Sequence, residues 1–250
     1  MKIVSLCPSV TELVFDLGCG ADLVGITTFC VHPADQVGGI ETVGGTKDPD
    51  VTRIIELKPD IVLLNEEENR REDAEALERA GVACHVSFPK VIADTAAFVR
   101  AVGARLGRPA QAGAIALDIE QRAQRVRSAS ASLREVTWAY LIWRKPWMSV
   151  NADTFVDALL GLAGGRNVFA DRAERYPVIS AEELGLASPD VILAASEPFP
   201  FEAKHLDELA KASGLPRERF TVVDGEYLSW HGSRTPDGID YAEACLARAR

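Results

Sequence analysis

No apolar run in this chain approaches the roughly 20 residues that a membrane-spanning helix requires, so no segment is expected to insert into a bilayer. Cysteine pairs are missing as well. The five cysteines, Cys7, Cys19, Cys30, Cys84 and Cys245, are odd in number and widely scattered. They lack the spacing of a structural zinc site and read as buried free thiols, which leans toward a reducing compartment. The four histidines, His32, His85, His205 and His231, show no pairing at ligand spacing, which argues against a direct transition-metal site. Only His231, beside Trp230, stays as a ligand candidate. Catalytic signatures are absent: there is no Gly-x-Ser-x-Gly elbow, no P-loop, no His-Glu-x-x-His, and no Gly-x-Gly-x-x-Gly after the first expected strand. Positive charge is the minority sign. A net charge of −10 argues against a general binder of nucleic acid or anionic lipid. The chain opens Met1-Lys2-Ile3-Val4-Ser5-Leu6 directly in an expected strand, with no basic-then-apolar leader. As it stands that reads as cytoplasmic; a leader removed beforehand would make the protein periplasmic or lipid-anchored.

What the sequence does contain is a duplication. Ile54-Ile55-Glu56-Leu57-Lys58-Pro59-Asp60-Ile61-Val62-Leu63-Leu64 and Leu184-Gly185-Leu186-Ala187-Ser188-Pro189-Asp190-Val191-Ile192-Leu193-Ala194 share a pattern, with Pro-Asp in the same place. Each reads as a helix end, a Pro-Asp that cannot continue it, and an all-apolar run too short for a helix and therefore a buried parallel strand. Two such units about half a chain apart imply two similar α/β lobes with a ligand cleft between them.

The expected elements alternate accordingly. Strands are expected at 2–6, 23–27, 60–64 and 82–86, and helices from a Ser9-Val10-Thr11-Glu12 capping box to Gly18, then over 50–57, 71–80 and 91–106. From Pro109 to about Leu133 runs one helix rich in Ala, Gln, Arg and Glu, with Ile115, Ile119, Ala123 and Val126 forming an apolar stripe. Its roughly 25 residues would span on the order of 37 Å. That length suits a connector between lobes, although an ordinary surface helix has the same pattern. The second lobe follows with a strand at 136–142, a helix at 152–163 capped by Asn151, and the duplicated helix and strand at 181–195. A helix near 202–212, a strand at 220–223 and a closing helix over 236–249 complete it. The fold class is thus α/β: a lobe over 1–108, a connecting helix over 109–133 and a second lobe over 134–250, each lobe Rossmann-like with a parallel sheet.

In open parallel sheets the functional groups sit just past the carboxyl ends of the strands. That selects residues 7–11, 28–32, 65–68, 87–89, 143–147, 196–199 and 227–234. Two segments stand out. Trp143-Arg144-Lys145-Pro146-Trp147 sets two tryptophans beside two cations, and Tyr227-Leu228-Ser229-Trp230-His231-Gly232-Ser233-Arg234 adds a third with His and Arg. Indole faces with guanidinium suit a large, flat or conjugated ligand carrying some negative charge. The other reading is that these tryptophans pack the interface between the lobes. Glu66-Glu67-Glu68 is most simply a solvated helix start, with Asn65 and Glu66 placed where a ligand would touch them.

With these residues in view the chain resembles the helical-backbone metal-chelate receptors, the class III periplasmic substrate-binding proteins of ABC importers for cobalamin, ferric siderophores and haem. The likeness rests on residues 3–12, on Leu57-Lys58-Pro59-Asp60-Ile61-Val62, on the central helix, on Gly164-Gly165-Arg166-Asn167-Val168, and on residues 179–182 and 188–192. It is nearest to the cobalamin-binding members. The resemblance implies two α/β lobes joined by one rigid helix, with little hinge motion. Phe29 and Tyr176 fall where those proteins set an aromatic over the corrin. Thr46 and Asn65 fall where they carry tryptophan, and Trp143, Trp147 and Trp230 would have to rebuild that wall. Family members also carry one acidic residue per lobe that pairs with permease arginines. Glu182 matches in the second lobe; in the first the equivalent is Thr52, with Asp50 or Glu56 nearby as substitutes.

The expectation is therefore a binding protein, not an enzyme. It would have no intrinsic cofactor, would take a corrinoid first and a ferric siderophore or haem next, and would deliver it as a monomer to an importer permease dimer. No nucleic acid and no resident metal are expected. The ligand set is Pro8, Ser9, Phe29, Thr46, Asn65, Glu66, Trp143, Arg144, Trp147, Tyr176, Glu197, Trp230, His231 and Arg234. Two alternatives stand beside it. One is a cytoplasmic corrinoid-handling protein or α/β enzyme that does not dock a permease, with His231, Arg234 and Glu66 as acid, anion and base groups. The other is metal-ion capture by His32, His231 and carboxylates.

Overall fold

A computed structural model of the chain describes residues 1–250. The chain divides into two compact units: 1–89 with 93–117 and 231–234, and 90–92 with 118–230 and 235–250.

In the first unit the order is β1 (Ile3–Ser5), α1 (Pro8–Asp16), β2 (Leu23–Ile26), α2 (Val51–Leu57), β3 (Ile61–Asn65), α3 (Arg71–Arg79), β4 (Cys84–Ser87), α4 (Ile92–Arg105) and the start of α5 (Pro109–Ser130). The second continues with β5 (Val136–Leu141), α6 (Phe155–Leu162), β6 (Gly165–Asn167), α7 (Ala181–Ala187), β7 (Val191–Ala195), α8 (Ala203–Ser213), β8 (Phe220–Val223), α9 (Gly225–Ser229) and α10 (Thr235–Ala247). The sheets run β2-β1-β3-β4 and β6-β5-β7-β8, and every neighbouring pair is parallel. Both therefore have the same topology. In each, the order reverses between the first and third strands, and such switch points are where open α/β sheets hold ligands.

The duplicated segments account for this likeness down to single atoms. Each helix ends on a left-handed residue, Lys58 at φ 50 and Ser188 at φ 43, and Pro-Asp then turns the chain into a strand buried along its whole length. Both aspartates perform the same task. Asp60 accepts the backbone N–H of Lys2 at 2.7 Å, and Asp190 accepts that of Thr137 at 2.8 Å, so each carboxylate ties the new strand to the start of the central one. Burial on both sheet faces explains why these strands show no polar alternation. In the first unit Val4, Leu6, Ile54, Val62, Leu64 and Leu77 form one core. In the second, Ala139, Leu141, Leu184, Ile192, Ala194 and Leu206 belong to the other.

Several expectations need correction. Ser9 does not cap α1: the helix starts at Pro8 with Cys7 at the cap position, because proline fits the first turn without needing a donor. Glu12 then pairs with Arg234 and closes no capping box. Asn151 does not cap α6 either. Its side-chain oxygen accepts the N–H of Asp153 instead, and Thr154 caps a helix that begins at Phe155. In α5 the buried stripe is Ala112, Ala116, Ile119, Ala123 and Val126, and Ile115 is only half-buried. Gly103 of α4 approaches so closely that a methyl placed there would stand 2.1 Å from the Ala112 side chain, so small residues, not Ile115, face that helix. The short β6 and α9 carry no sequence periodicity and were not expected.

Candidate functional site

The switch point of the first sheet lies between the loops that follow β1 and β3. Asn69 organises it. Its amide donates to the carbonyls of Leu6, at 2.9 Å, and Thr46, at 3.0 Å, while its oxygen accepts the N–H of Asn65 at 2.8 Å. Three loops are thereby tied together. The Asn65 oxygen accepts the N–H groups of Glu67 and Glu68, and its amide lies 3.4 Å from both Ser87 Oγ and His231 Nε2. His231 is buried with its ring edge-on to Phe98, and burial pushes its pKa down to about 4, so the imidazole is neutral near pH 7. Arg234 forms a two-pronged pair with Glu12, at 2.6 and 2.9 Å, that is largely removed from water.

Beneath this layer Thr11 Oγ lies within hydrogen-bond distance of Ser5 Oγ, the Cys7 carbonyl and Cys30 Sγ. Both thiols are buried, and burial pushes Cys7 up to about 12 and raises Cys30. They are inert packing groups at neutral pH. Burial also raises the Glu68 carboxyl, although the Lys47 charge and a hydrogen bond with Thr46 oppose the shift.

Of the ligand candidates in this unit, Ser9, Thr46, Asn65 and His231 are buried and Pro8 and Arg234 half-buried. Glu66 is exposed. Phe29 is the aromatic that the fold leaves in solvent, 59% exposed. It follows β2 in the loop between Cys30 and Thr28, whose N–H donates to the Gly44 carbonyl.

In the second unit the switch point lies between the loops after β5 and β7. Residues 142–148 form a tight hairpin, in which Ile142 N–H donates to the Met148 carbonyl and Met148 N–H to the Trp143 carbonyl, at 3.0 and 3.1 Å. A further strand-like bond from Ile179 N–H to the Trp147 carbonyl, at 2.9 Å, pins its far side. Its two indoles have different fates. Trp147 stacks on Phe201 with 6.1 Å between ring centres and packs against the core. Trp143 stays 40% exposed and meets Phe199 edge-on at 5.7 Å. Phe199 in turn packs on Phe201 and His205, so a continuous aromatic brace holds the exposed indole. Arg144 lies over the Trp147 ring at 5.7 Å and pairs with Glu208.

Trp230 is half-buried, and its indole N–H donates to Glu197 at 2.6 Å. Arg175 stacks over Tyr176 at 5.8 Å and pairs with Asp153, as does Lys90. The fourth tryptophan, Trp138, is wholly buried in β5. The rings differ in exposure: Trp138 is buried, Trp147 is partly buried against the core of its unit, and Trp143 presents a face. Sequence reasoning missed Asn69, which reads as one more polar residue in a charged run, and the brace of Phe201 and His205. The Phe199-Pro200-Phe201 spacing was the available signal.

On the outer helices, Glu182 is exposed in the first turn of α7. Asp50 caps α2 by accepting the N–H of Arg53, and Glu56 pairs with the Arg53 guanidinium at 2.8 Å. No group of three His, Cys, Asp or Glu side chains comes together as a metal site. No helix is long and apolar enough to cross a membrane.

A profile described as periplasmic binding protein matches residues 3–215. The vitamin B12-binding protein of Vibrio cholerae is 24% identical over 96% of this chain and 86% of its own length. That of Yersinia pestis is 26% identical over 78% of this chain and 69% of its own length. Among solved structures, the periplasmic vitamin B12-binding protein of Vibrio cholerae is similar at a TM-score of 0.86 and 23% identity, covering 99% of this chain and 97% of the other. A periplasmic haem-binding protein from Pseudomonas aeruginosa gives a TM-score of 0.83 at 27% identity, covering 98% and 91%.

Proposed function

This chain belongs to the periplasmic binding protein family, and from that premise we propose that it captures a metal chelate with a flat macrocycle, a corrinoid first and a haem or ferric siderophore next, for an ABC-type importer. One observation carries the reading: near-full-length likeness to vitamin B12-binding proteins coincides with aromatic faces held open past the carboxyl ends of the strands. A soluble fold has a strong incentive to bury such rings. Here Phe29 stands open and Trp143 is braced in place but left accessible, as a platform for a conjugated ligand would be. Such a site works by stacking and charge complementarity, with no bond made or broken. Of the groups named for an acid–base alternative, Arg234 is paired with Glu12 and His231 is buried against Phe98.

Of the ligand candidates, the exposed or half-exposed Phe29, Glu66, Trp143, Tyr176 and Trp230 would meet the ligand, and the buried Thr46, Asn65 and His231 would shape the loops. Glu182 would offer a carboxylate to a permease cation from α7, with Asp50 or Glu56 the corresponding groups on α2. Titration of the purified protein with cyanocobalamin, haemin and a ferric hydroxamate, followed by tryptophan fluorescence, tests the reading. Saturable quenching at one ligand per chain is expected with at least the first; silence toward all three would overturn it.

A further inference from the structure

The hairpin that presents Trp143 carries a cation that the fold does not use. Arg144 is paired with Glu208 and lies over Trp147. Lys145, the next residue, is exposed and makes no ion pair. Its backbone sits in the left-handed region, at φ 65, which a side-chain-bearing residue adopts only against steric strain. The other two non-glycine residues in that region, Lys58 and Ser188, end helices and lead into the duplicated Pro-Asp turns. Lys145 ends no helix. Glycine would relieve the strain at this position, as it does at the ends of α1 and α8, where Gly18 and Gly214 both stand at φ 73. A lysine there has a use that the hairpin's own geometry does not supply.

The surroundings say what that use is. Bonds within the hairpin and from Ile179 fix its frame, and the aromatic brace behind Trp143 fixes the indole. The hairpin follows β5, at the switch point of its sheet, so a flat ligand lying on the Trp143 face would have its rim within the sweep of the neighbouring ammonium. A lysine ammonium is a point charge on a flexible stem and pairs readily with a carboxylate or phosphate oxygen.

We infer that Lys145 is a specificity residue that pairs with an anionic group on the periphery of the macrocycle. This rests on the macrocycle-binding reading above and narrows it to ligands bearing a peripheral anion. Two sources supply one, the propionate carboxylates of haem and the phosphodiester in the nucleotide loop of cobalamin, and two pairs of probes separate them. Cobinamide keeps the corrin without the phosphodiester, and haem dimethyl ester keeps the porphyrin without free carboxylates.

The experiment measures affinities for all four by fluorescence quenching in the wild-type protein, Lys145→Gly and Lys145→Arg. Lys145→Gly suits the backbone, so loss of binding cannot be laid to misfolding of the hairpin, and circular dichroism checks the fold. Lys145→Gly should weaken the anionic member of the bound pair by about five-fold or more, as for a partly exposed charge-assisted contact. It should leave the neutral member unchanged, and Lys145→Arg should restore the difference. Loss with haem but not cobalamin identifies carboxylate; the converse identifies phosphodiester. Equal affinity of all three proteins for each probe, or equal losses with anionic and neutral members, overturns the assignment while leaving the macrocycle reading intact. Failure of the wild type to bind any probe overturns both.

Discussion

Single residues in this chain carry more structural duty than their types suggest, and His231 is the clearest example. Read in sequence beside Trp230, it is a plausible ligand; in the fold it is buried, edge-on to Phe98 and 3.4 Å from the Asn65 amide. Burial alone pushes its pKa down to about 4. An unfolded histidine titrates near 6.5, so between those values the unfolded chain holds a proton that the folded one does not, and stability must rise with pH. The neutral imidazole's contribution is fully present above about pH 6.5 and is lost as pH falls through about 4, a change on the order of 3 kcal/mol. Urea denaturation at pH 7.0, 5.5 and 4.5 should show the decline, and His231→Gln should flatten this part of it. An identical pH slope in the variant would remove His231 from the account. No sequence pattern announces such a role, because the burial comes from Phe98 and Asn65, residues distant in the chain.

At the scale of elements, the sequence is legible where local chemistry decides and opaque where a neighbour decides. The Pro-Asp turns and the apolar runs after them specify β3 and β7 outright. Caps were misjudged at α1 and α6, since Ser9 and Asn151 are sound capping residues whose helices begin elsewhere: Pro8 starts one early, and Asn151 turns its side chain to Asp153. The α4–α5 contact was invisible, because only the fold brings Gly103 against Ala112. That contact gives a sign test. Alanine in a helix interior ordinarily stabilises by up to about 1 kcal/mol over glycine. At Gly113 of α5 nothing lies within 4 Å of the added methyl, and Gly113→Ala should stabilise by roughly 0.5–1 kcal/mol. At Gly103 the methyl would stand 2.1 Å from Ala112 and 3.0 Å from the Arg108 carbonyl, so Gly103→Ala should destabilise by about 1–3 kcal/mol. Thermal melting of the two variants checks both signs. Two shifts of the same sign would mean that the helices do not approach as described.

For the whole molecule the organising fact is repetition: two sheets of the same strand order, each assembled around the same helix, left-handed turn, Pro-Asp and strand. Half of that was readable, since the two segments align by eye; the atomic purpose of the aspartates was not. Asp60 has one backbone donor, Lys2. Asp190 has more: the N–H and hydroxyl of Thr137 and the guanidinium of Arg134. Burial tends to raise the Asp190 carboxyl, but these hydrogen bonds outweigh it and hold it below the usual carboxylate range. If the two turns are copies of one device, removing either carboxylate must loosen the same junction, between the central strand and the one that follows the turn, and the larger loss must fall where there are more donors. Asp60→Ala should cost about 1 kcal/mol and Asp190→Ala about 2 kcal/mol, since each leaves backbone N–H groups without their acceptor. The two carboxylates share no partner, so the double variant should lose the sum to within about 0.5 kcal/mol. Urea denaturation of the four proteins closes the cycle. Equal single costs would deny the extra bonds at Asp190 any weight, and a double variant well away from the sum would show that the two copies do not act as independent units of the fold.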